Sequence, residues 1–169
     1  AGNDVLYGDS NNDYLKGHSG ADRLYGGTGK DYLRGGDDDD TLYGESGNDK
    51  LKGEDGDDIL VGGTGKDDLY GGKGNDVFKL TAGSGYDRIR DFKKGEDKID
   101  ISDFVFYGFD EDGNSHDGDT PHWQIHDEGT ALTWINDGKN TRIYHDEYYD
   151  LLAIIYNVND LTMFENYLI

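Results

Sequence analysis

The stretch GGTGKDYLRGGDDDDTLYG, Gly26 to Gly44, sets an Asp and then a Leu at one fixed interval among glycines. Asp31 is followed two residues later by Leu33, and nine residues on Asp40 is followed by Leu42. Cutting the chain every nine residues from Gly8 extends the pattern: GDSNNDYLK, GHSGADRLY, GGTGKDYLR, GGDDDDTLY, GESGNDKLK, GEDGDDILV, GGTGKDDLY and GGKGNDVFK, after a partial unit AGNDVLY. The first position is Gly8, Gly17, Gly26, Gly35, Gly44, Gly53, Gly62 and Gly71. The sixth is Asp4, Asp13, Asp22, Asp31, Asp40, Asp49, Asp58, Asp67 and Asp76. The eighth is Leu throughout, except Phe78.

A nine-residue period is too short for helical repeats. It leaves room for a tight loop and a three-residue strand with one inward side chain, which cannot fold alone. Two such units per coil stack Leu6, Leu24, Leu42, Leu60 and Phe78 in one sheet, and Leu15, Leu33, Leu51 and Leu69 in the other. The two rows face each other as a thin core. Glycine suits the sharp loops because it reaches positive φ without steric cost. Where the fourth position is not Gly it is Asn11 or Asp38, the next best tolerated residues in that conformation.

An 18-residue coil places Asp22 above Asp4 and Asp31 above Asp13. Strands repeat at about 4.8 Å, so these carboxylates repel. A hard cation between successive loops removes the repulsion. Calcium accepts six to eight oxygens in flexible geometry, whereas magnesium prefers a rigid octahedron and keeps waters. The Asp therefore reads as a calcium ligand and the Leu as the core that it closes. Without metal, low hydrophobicity and high charge favour a disordered acidic linker.

The composition agrees. The 169 residues carry 37 acidic and 16 basic side chains, a net charge of −21. Nucleic acid, which needs a basic surface, is a poor partner, and cations are the expected one. There is no cysteine, hence no disulfide or thiolate site. No apolar run approaches the roughly 18 residues of a membrane helix. No signal peptide is visible, and the chain opens mid-pattern, as expected of a piece of a larger protein. Of the 27 glycines, 19 precede Lys79. That gradient divides the chain into residues 1–79 and 80–169.

The units resemble the RTX nonapeptide, GGxGxDxUx, of secreted bacterial toxins, proteases, lipases, alginate epimerases and adhesins. The resemblance implies an all-β fold, a right-handed parallel β-roll followed by a β-rich C-terminal cap. It implies calcium bound by the sixth-position Asp and by loop carbonyls. Beyond the first-position glycines, the matching loop glycines are Gly20, Gly27, Gly29, Gly36, Gly47, Gly56, Gly63, Gly65, Gly72 and Gly74. Asp9, His18, Glu45 and Glu54 replace the family's second Gly, a change expected to alter surface charge more than coordination. Counting intervals between stacked Asp residues gives four on one edge and three on the other. About seven calcium ions are expected in the roll, with one or two more at the cap.

From Leu80 the repeat reads as ended. SGYDRIRDFKKGEDKIDISDF, Ser84 to Phe104, resembles the segment that closes RTX rolls, and Asp87 and Asp91 are candidates to complete the last calcium sites. GTALTWINDGKNTRIYH alternates apolar and polar residues around Asn136-Asp137-Gly138, a hairpin signal. DLLAIIYNVNDLTMFENYLI resembles the closing segment of RTX proteins, with an ENYLI tail like that of type I secretion substrates. An open roll needs such a cap over its apolar end.

Other chemistry is weaker. His122 and His126 in HWQIH lack the Glu of a zinc helix and read as a surface pair on a strand. The acidic loop Asp110–Asp119 fails the EF-hand template. GGTGK, 62–66, lacks the first glycine and the Ser or Thr of a phosphate loop. No spacing supports a catalytic constellation. One surface feature stands out: Tyr14 and Lys16, Tyr32 and Arg34, Lys50 and Lys52, then Asp68 and Tyr70, all point outward on one sheet. This aromatic and basic stripe suits an anionic polysaccharide such as alginate. It equally suits a cross-strand ladder that keeps the sheet soluble.

The sequence therefore predicts a non-catalytic calcium-binding module of an extracellular or cell-surface bacterial protein. It is expected to pass type I secretion machinery unfolded, fold on meeting calcium and stabilise its parent protein. A carbohydrate-binding module of a polysaccharide-modifying enzyme and an adhesion module are the alternatives.

Overall fold

The computed structural model describes residues 1–81, 85–100, 125–127, 130–136, 140–145 and 150–156. The acidic loop Asp110–Asp119, His122, the hairpin turn Asp137-Gly138 and the DLT and ENYLI segments lie outside the described residues.

The nonapeptides coil as their spacing demands. One parallel sheet takes alternate units: β1 (Val5–Tyr7), β3 (Arg23–Gly29), β5 (Thr41–Gly47), β7 (Ile59–Val61) and β10 (Val77–Lys79). The other takes the units between: β2 (Tyr14–Ser19), β4 (Tyr32–Asp37), β6 (Lys50–Asp55) and β9 (Asp68–Lys73). The two-residue β8 (Thr64–Gly65) pairs with β5. Each strand pairs with the one 18 residues on, so Leu6 faces Leu24, Leu24 faces Leu42, and Leu15 faces Leu33. The fold is an all-β parallel roll.

The two rows of core residues follow. Leu24, Leu33, Leu42, Leu51, Leu60, Leu69 and Phe78 are fully buried. Leu6 and Leu15, in the first coil, have neighbours on one side only and are half-buried. Outside the core, Tyr7, Tyr25 and Tyr43 stack face to face, with centroids 4.9 Å apart at each step.

The coiling does not stop at Leu80. Beyond Lys79, β11 (Asp87–Ile89) pairs in parallel with β9, and β12 (Lys98–Asp100) pairs in parallel with β10. Ile89 faces Leu69 and Ile99 faces Phe78, and both isoleucines are fully buried. The residues responsible form two further nonapeptides, AGSGYDRIR (82–90) and FKKGEDKID (92–100). Their fourth-position glycines, Gly85 and Gly95, have positive φ like those upstream. Inserted Leu80-Thr81 and Asp91 shift the phase, and Ala82 and Phe92 replace the first-position Gly, which is why the period vanishes from the sequence.

The C-terminal strands extend the second sheet. β13 (Ile125–Asp127), β14 (Thr130–Asn136), β15 (Asn140–His145) and β16 (Asp150–Tyr156) form an antiparallel meander, and β16 pairs in parallel with β11. The expected hairpin is present in its strands, with Asn136 facing Thr141. No helix among the described residues is long and apolar enough to cross a membrane.

Candidate metal centre

Each sixth-position Asp closes its loop onto the core. From Asp22 onward the side chain turns along the stack, and Oδ1 accepts a hydrogen bond from the backbone N–H of the Asp one coil earlier. On one edge Asp4 donates to Asp22 (2.7 Å), Asp22 to Asp40 (2.7 Å), Asp40 to Asp58 (2.8 Å) and Asp58 to Asp76 (3.1 Å). On the other, Asp13 donates to Asp31 (2.8 Å), Asp31 to Asp49 (2.7 Å) and Asp49 to Asp67 (2.7 Å).

The second carboxylate oxygen has no such partner. Oδ2 of Asp13, Asp22, Asp31, Asp40, Asp49, Asp58, Asp67 and Asp76 is buried without a hydrogen bond. A buried carboxylate oxygen is costly unless paired with a donor or a metal. Burial, reinforced by neighbouring Asp residues, pushes Asp40 and Asp76 up to about 6 and Asp49 and Asp58 up to about 7.

The first-position glycine explains where these oxygens point. None of those eight glycines has positive φ, so the conformational reason that holds in the rest of the loop fails there. A Cβ on Gly26 would instead lie 2.6 Å from Asp31 Oδ2 and 2.7 Å from the Gly44 carbonyl oxygen. Only a residue without a side chain leaves room where a carboxylate oxygen and a carbonyl oxygen converge. This oxygen-only donor set fits a hard cation such as calcium. No group of three or more His, Cys, Asp or Glu side chains gathers among the described residues, so backbone carbonyls must supply much of any coordination shell.

Among the described residues, positive φ falls only at the second and fourth positions of the repeats. Non-glycine residues there adopt it too: Asp9, His18, Glu45 and Glu54 at the second, Asn11 and Asp38 at the fourth. A second ladder runs outside the first. At the fifth position, Oδ1 of Asn3, Asn12, Asp39, Asn48 and Asp57 accepts the N–H of the residue 18 further on.

Of the two cap candidates, Asp87 joins the ladder, its Oδ1 accepting from Asp67 N at 3.2 Å. Asp91 does not: it accepts from Gly71 N at 2.9 Å. The residue that continues the other ladder is Asp97, whose Oδ1 accepts from Asp76 N at 3.1 Å. The missed signal was the pair Asp97-x-Ile99, which repeats Asp87-x-Ile89 and every Asp-x-Leu upstream.

The stripe is in register, with Tyr14, Tyr32, Lys50 and Asp68 in one row and Lys16, Arg34, Lys52 and Tyr70 in the next. Its charges are partly committed. Arg34 Nε donates to Glu54 at 2.8 Å, Lys50 lies against the rings of Tyr32 and Tyr70, and Asp68 pairs with Arg88 and Arg90. His126 lies on β13.

The RTX calcium-binding nonapeptide repeat matches residues 1–24, 16–51 and 43–78. The solution structure of the AlgE6R3 subunit of the Azotobacter vinelandii mannuronan C5-epimerase is similar, with a TM-score of 0.56 and 24% identity over 93% of this chain and 78% of that one. The extracellular lipase LipA of Serratia marcescens aligns at a TM-score of 0.41 and 16% identity, over 99% of this chain and 38% of that one. No curated protein sequence matches the chain. Repeat, fold and oxygen-lined loops agree: the roll formed by residues 1–78 belongs to the RTX calcium-binding nonapeptide repeat family.

Proposed function

We propose that the chain is a non-catalytic calcium-folded module of a larger secreted bacterial protein. The observation that carries this reading is the row of buried, unpartnered Oδ2 atoms from Asp13 to Asp76. An apo roll must hold these acids in pairs of stacks with no counter-charge. Calcium between successive loops supplies that charge, and binding restricted to the folded state drives folding by mass action. Residues 1–79 carry most of the ions, about seven, and residues 80–169 close the roll with one or two more. Export through a type I channel as an unfolded chain, followed by folding in calcium outside the cell, is the physiological sense of the device. A crystal grown in calcium tests it directly: density for ions between successive Asp residues is expected, and metal-free loops would overturn it.

A second reading rests on the outward stripe. Tyr14 is 57% exposed, and Lys16, Lys50 and Lys52 share its face. That surface suits an anionic polysaccharide, with Tyr rings and ammonium groups as the contacts.

A further inference from the structure

On the edge that ends in the loop Gly71–Asp76, a cationic side chain of the following coil reaches the loop. Residues 92–100 lie one coil beyond residues 71–79, as the pairing of Val77 with Lys98 and Phe78 with Ile99 requires. Lys93 therefore sits over Gly72. Its ammonium donates to the Gly72 carbonyl oxygen. Its backbone N–H donates to Asp97 Oδ2 at 2.6 Å, while Asp97 Oδ1 accepts from Asp76. Glu96 stands 3.7 Å from the ammonium.

The contrast with the rest of the roll is specific. Within the ladder, Oδ2 is an orphan and a first-position Gly keeps the space beside it open. In the last coil Asp97 Oδ2 has a donor, and the first position is Phe92, which packs on Phe78 with ring centroids 6.2 Å apart. Burial raises the pKa of Asp76, Asp91 and Asp97, and the Lys93 charge opposes that rise at all three. The other edge ends differently. A Cβ on Gly62 would lie 2.5 Å from Asp67 Oδ2 and 3.0 Å from Asp87 Oδ2, so two carboxylate oxygens close on one point there. Burial raises the pKa of both acids, and the Asp67 charge raises that of Asp87 further.

We propose that Lys93 is a built-in cation whose ammonium takes the place of a calcium ion at the last interval of this edge, between Asp76 and Asp97. The ladder then ends in a charge that cannot dissociate, and its C-terminal turn stays neutralised at calcium levels that empty the interior sites. This inference rests on the calcium reading of the loops above.

The test is the number of calcium ions bound by the full chain at saturation, read by native mass spectrometry. Lys93→Gln should bind one ion more than the parent, because removing the ammonium frees the interval. Asp97→Asn should bind the parent's number, because its interval holds no ion to lose. It also serves if Lys93→Gln fails to fold. An unchanged count for folded Lys93→Gln, or one ion fewer for Asp97→Asn, would overturn the proposal. Neither result touches the calcium reading itself, which fails only if the parent binds no calcium.

Discussion

The backbone N–H of Asp40 donates to Oδ1 of Asp58 at 2.8 Å, while Asp58 Oδ2 is buried with no partner. One side chain thus does two separable jobs. Oδ1 fixes the stacking of coils through neutral backbone, and Oδ2 presents charge to the gap between loops.

Substitution of Asp40 should separate those jobs. Asp40→Asn keeps an acceptor for the N–H of Asp22 but removes the charge from two adjacent intervals. The calcium midpoint for folding should rise several-fold. Asp40→Ala loses the acceptor as well, leaving a buried N–H unpaired at a further cost on the order of 1–3 kcal/mol in the loaded state. Calcium titrations combined with thermal melts at saturating calcium measure both. Equal loaded-state stability of the two variants would contradict the division of roles.

Loop positions should respond to substitution in opposite directions. Gly35→Ala places a Cβ against Asp40 Oδ2, so calcium binding should weaken even though φ at Gly35 is permissible for any residue. His18→Gly relieves a φ of 85°. Left-handed backbone costs a side-chain-bearing residue roughly 1–2 kcal/mol, partly offset by the extra freedom of glycine in the unfolded chain. The loaded form should gain up to about 1 kcal/mol in a calcium-saturated melt.

The calcium requirement should depend on pH. Burial holds Asp40, Asp49, Asp58 and Asp76 at about 6 to 7 in the metal-free fold, above the ordinary value of roughly 3.9 expected when unfolded. Groups raised in this way favour the metal-free fold most below the unfolded value, and that contribution is lost as pH rises through 6 to 7. Calcium needs the ionised form. The coil carries these acids at the ordinary value, already ionised near neutral pH, so folding it with calcium should release few protons between pH 8 and 6, and the calcium midpoint should climb only as pH falls toward roughly 4. Calorimetry in buffers of different ionisation enthalpy reads the proton count, and a strong buffer dependence at pH 7 would show calcium meeting an already folded, protonated roll instead of a coil.

How much of this was legible in the sequence depended on phase. Asp-x-Leu at a strict interval gave the coil, its two core rows and the ladder of ligands as far as Phe78. The next two coils were hidden because Leu80-Thr81 and Asp91 break the nine-residue phase and Phe92 stands in a glycine position. Asp97 is hidden with them, which leaves Asp91 as the sequence's candidate ligand. The first-position glycine was recognised, but its reason is spatial: it lies in the distance between Gly26 and Asp31 Oδ2, which no periodicity reveals.

The stripe gives a separate test. Tyr32→Ala combined with Arg34→Ala should abolish retention on an immobilised alginate column if the second reading holds. Arg34 also holds Glu54, so Glu54→Gln is the matched control: it frees the guanidinium and should strengthen retention. Equal retention of all three chains would leave the stripe as a cross-strand ladder.

Calcium-coupled folding is tested most directly by far-ultraviolet circular dichroism of the full chain at pH 8, titrated with calcium from excess chelator. A cooperative change from coil to β is expected near 10⁻⁴ to 10⁻³ M calcium, the usual range for extracellular modules, with magnesium much less effective. A native β spectrum that persists in excess chelator at pH 8 would contradict it.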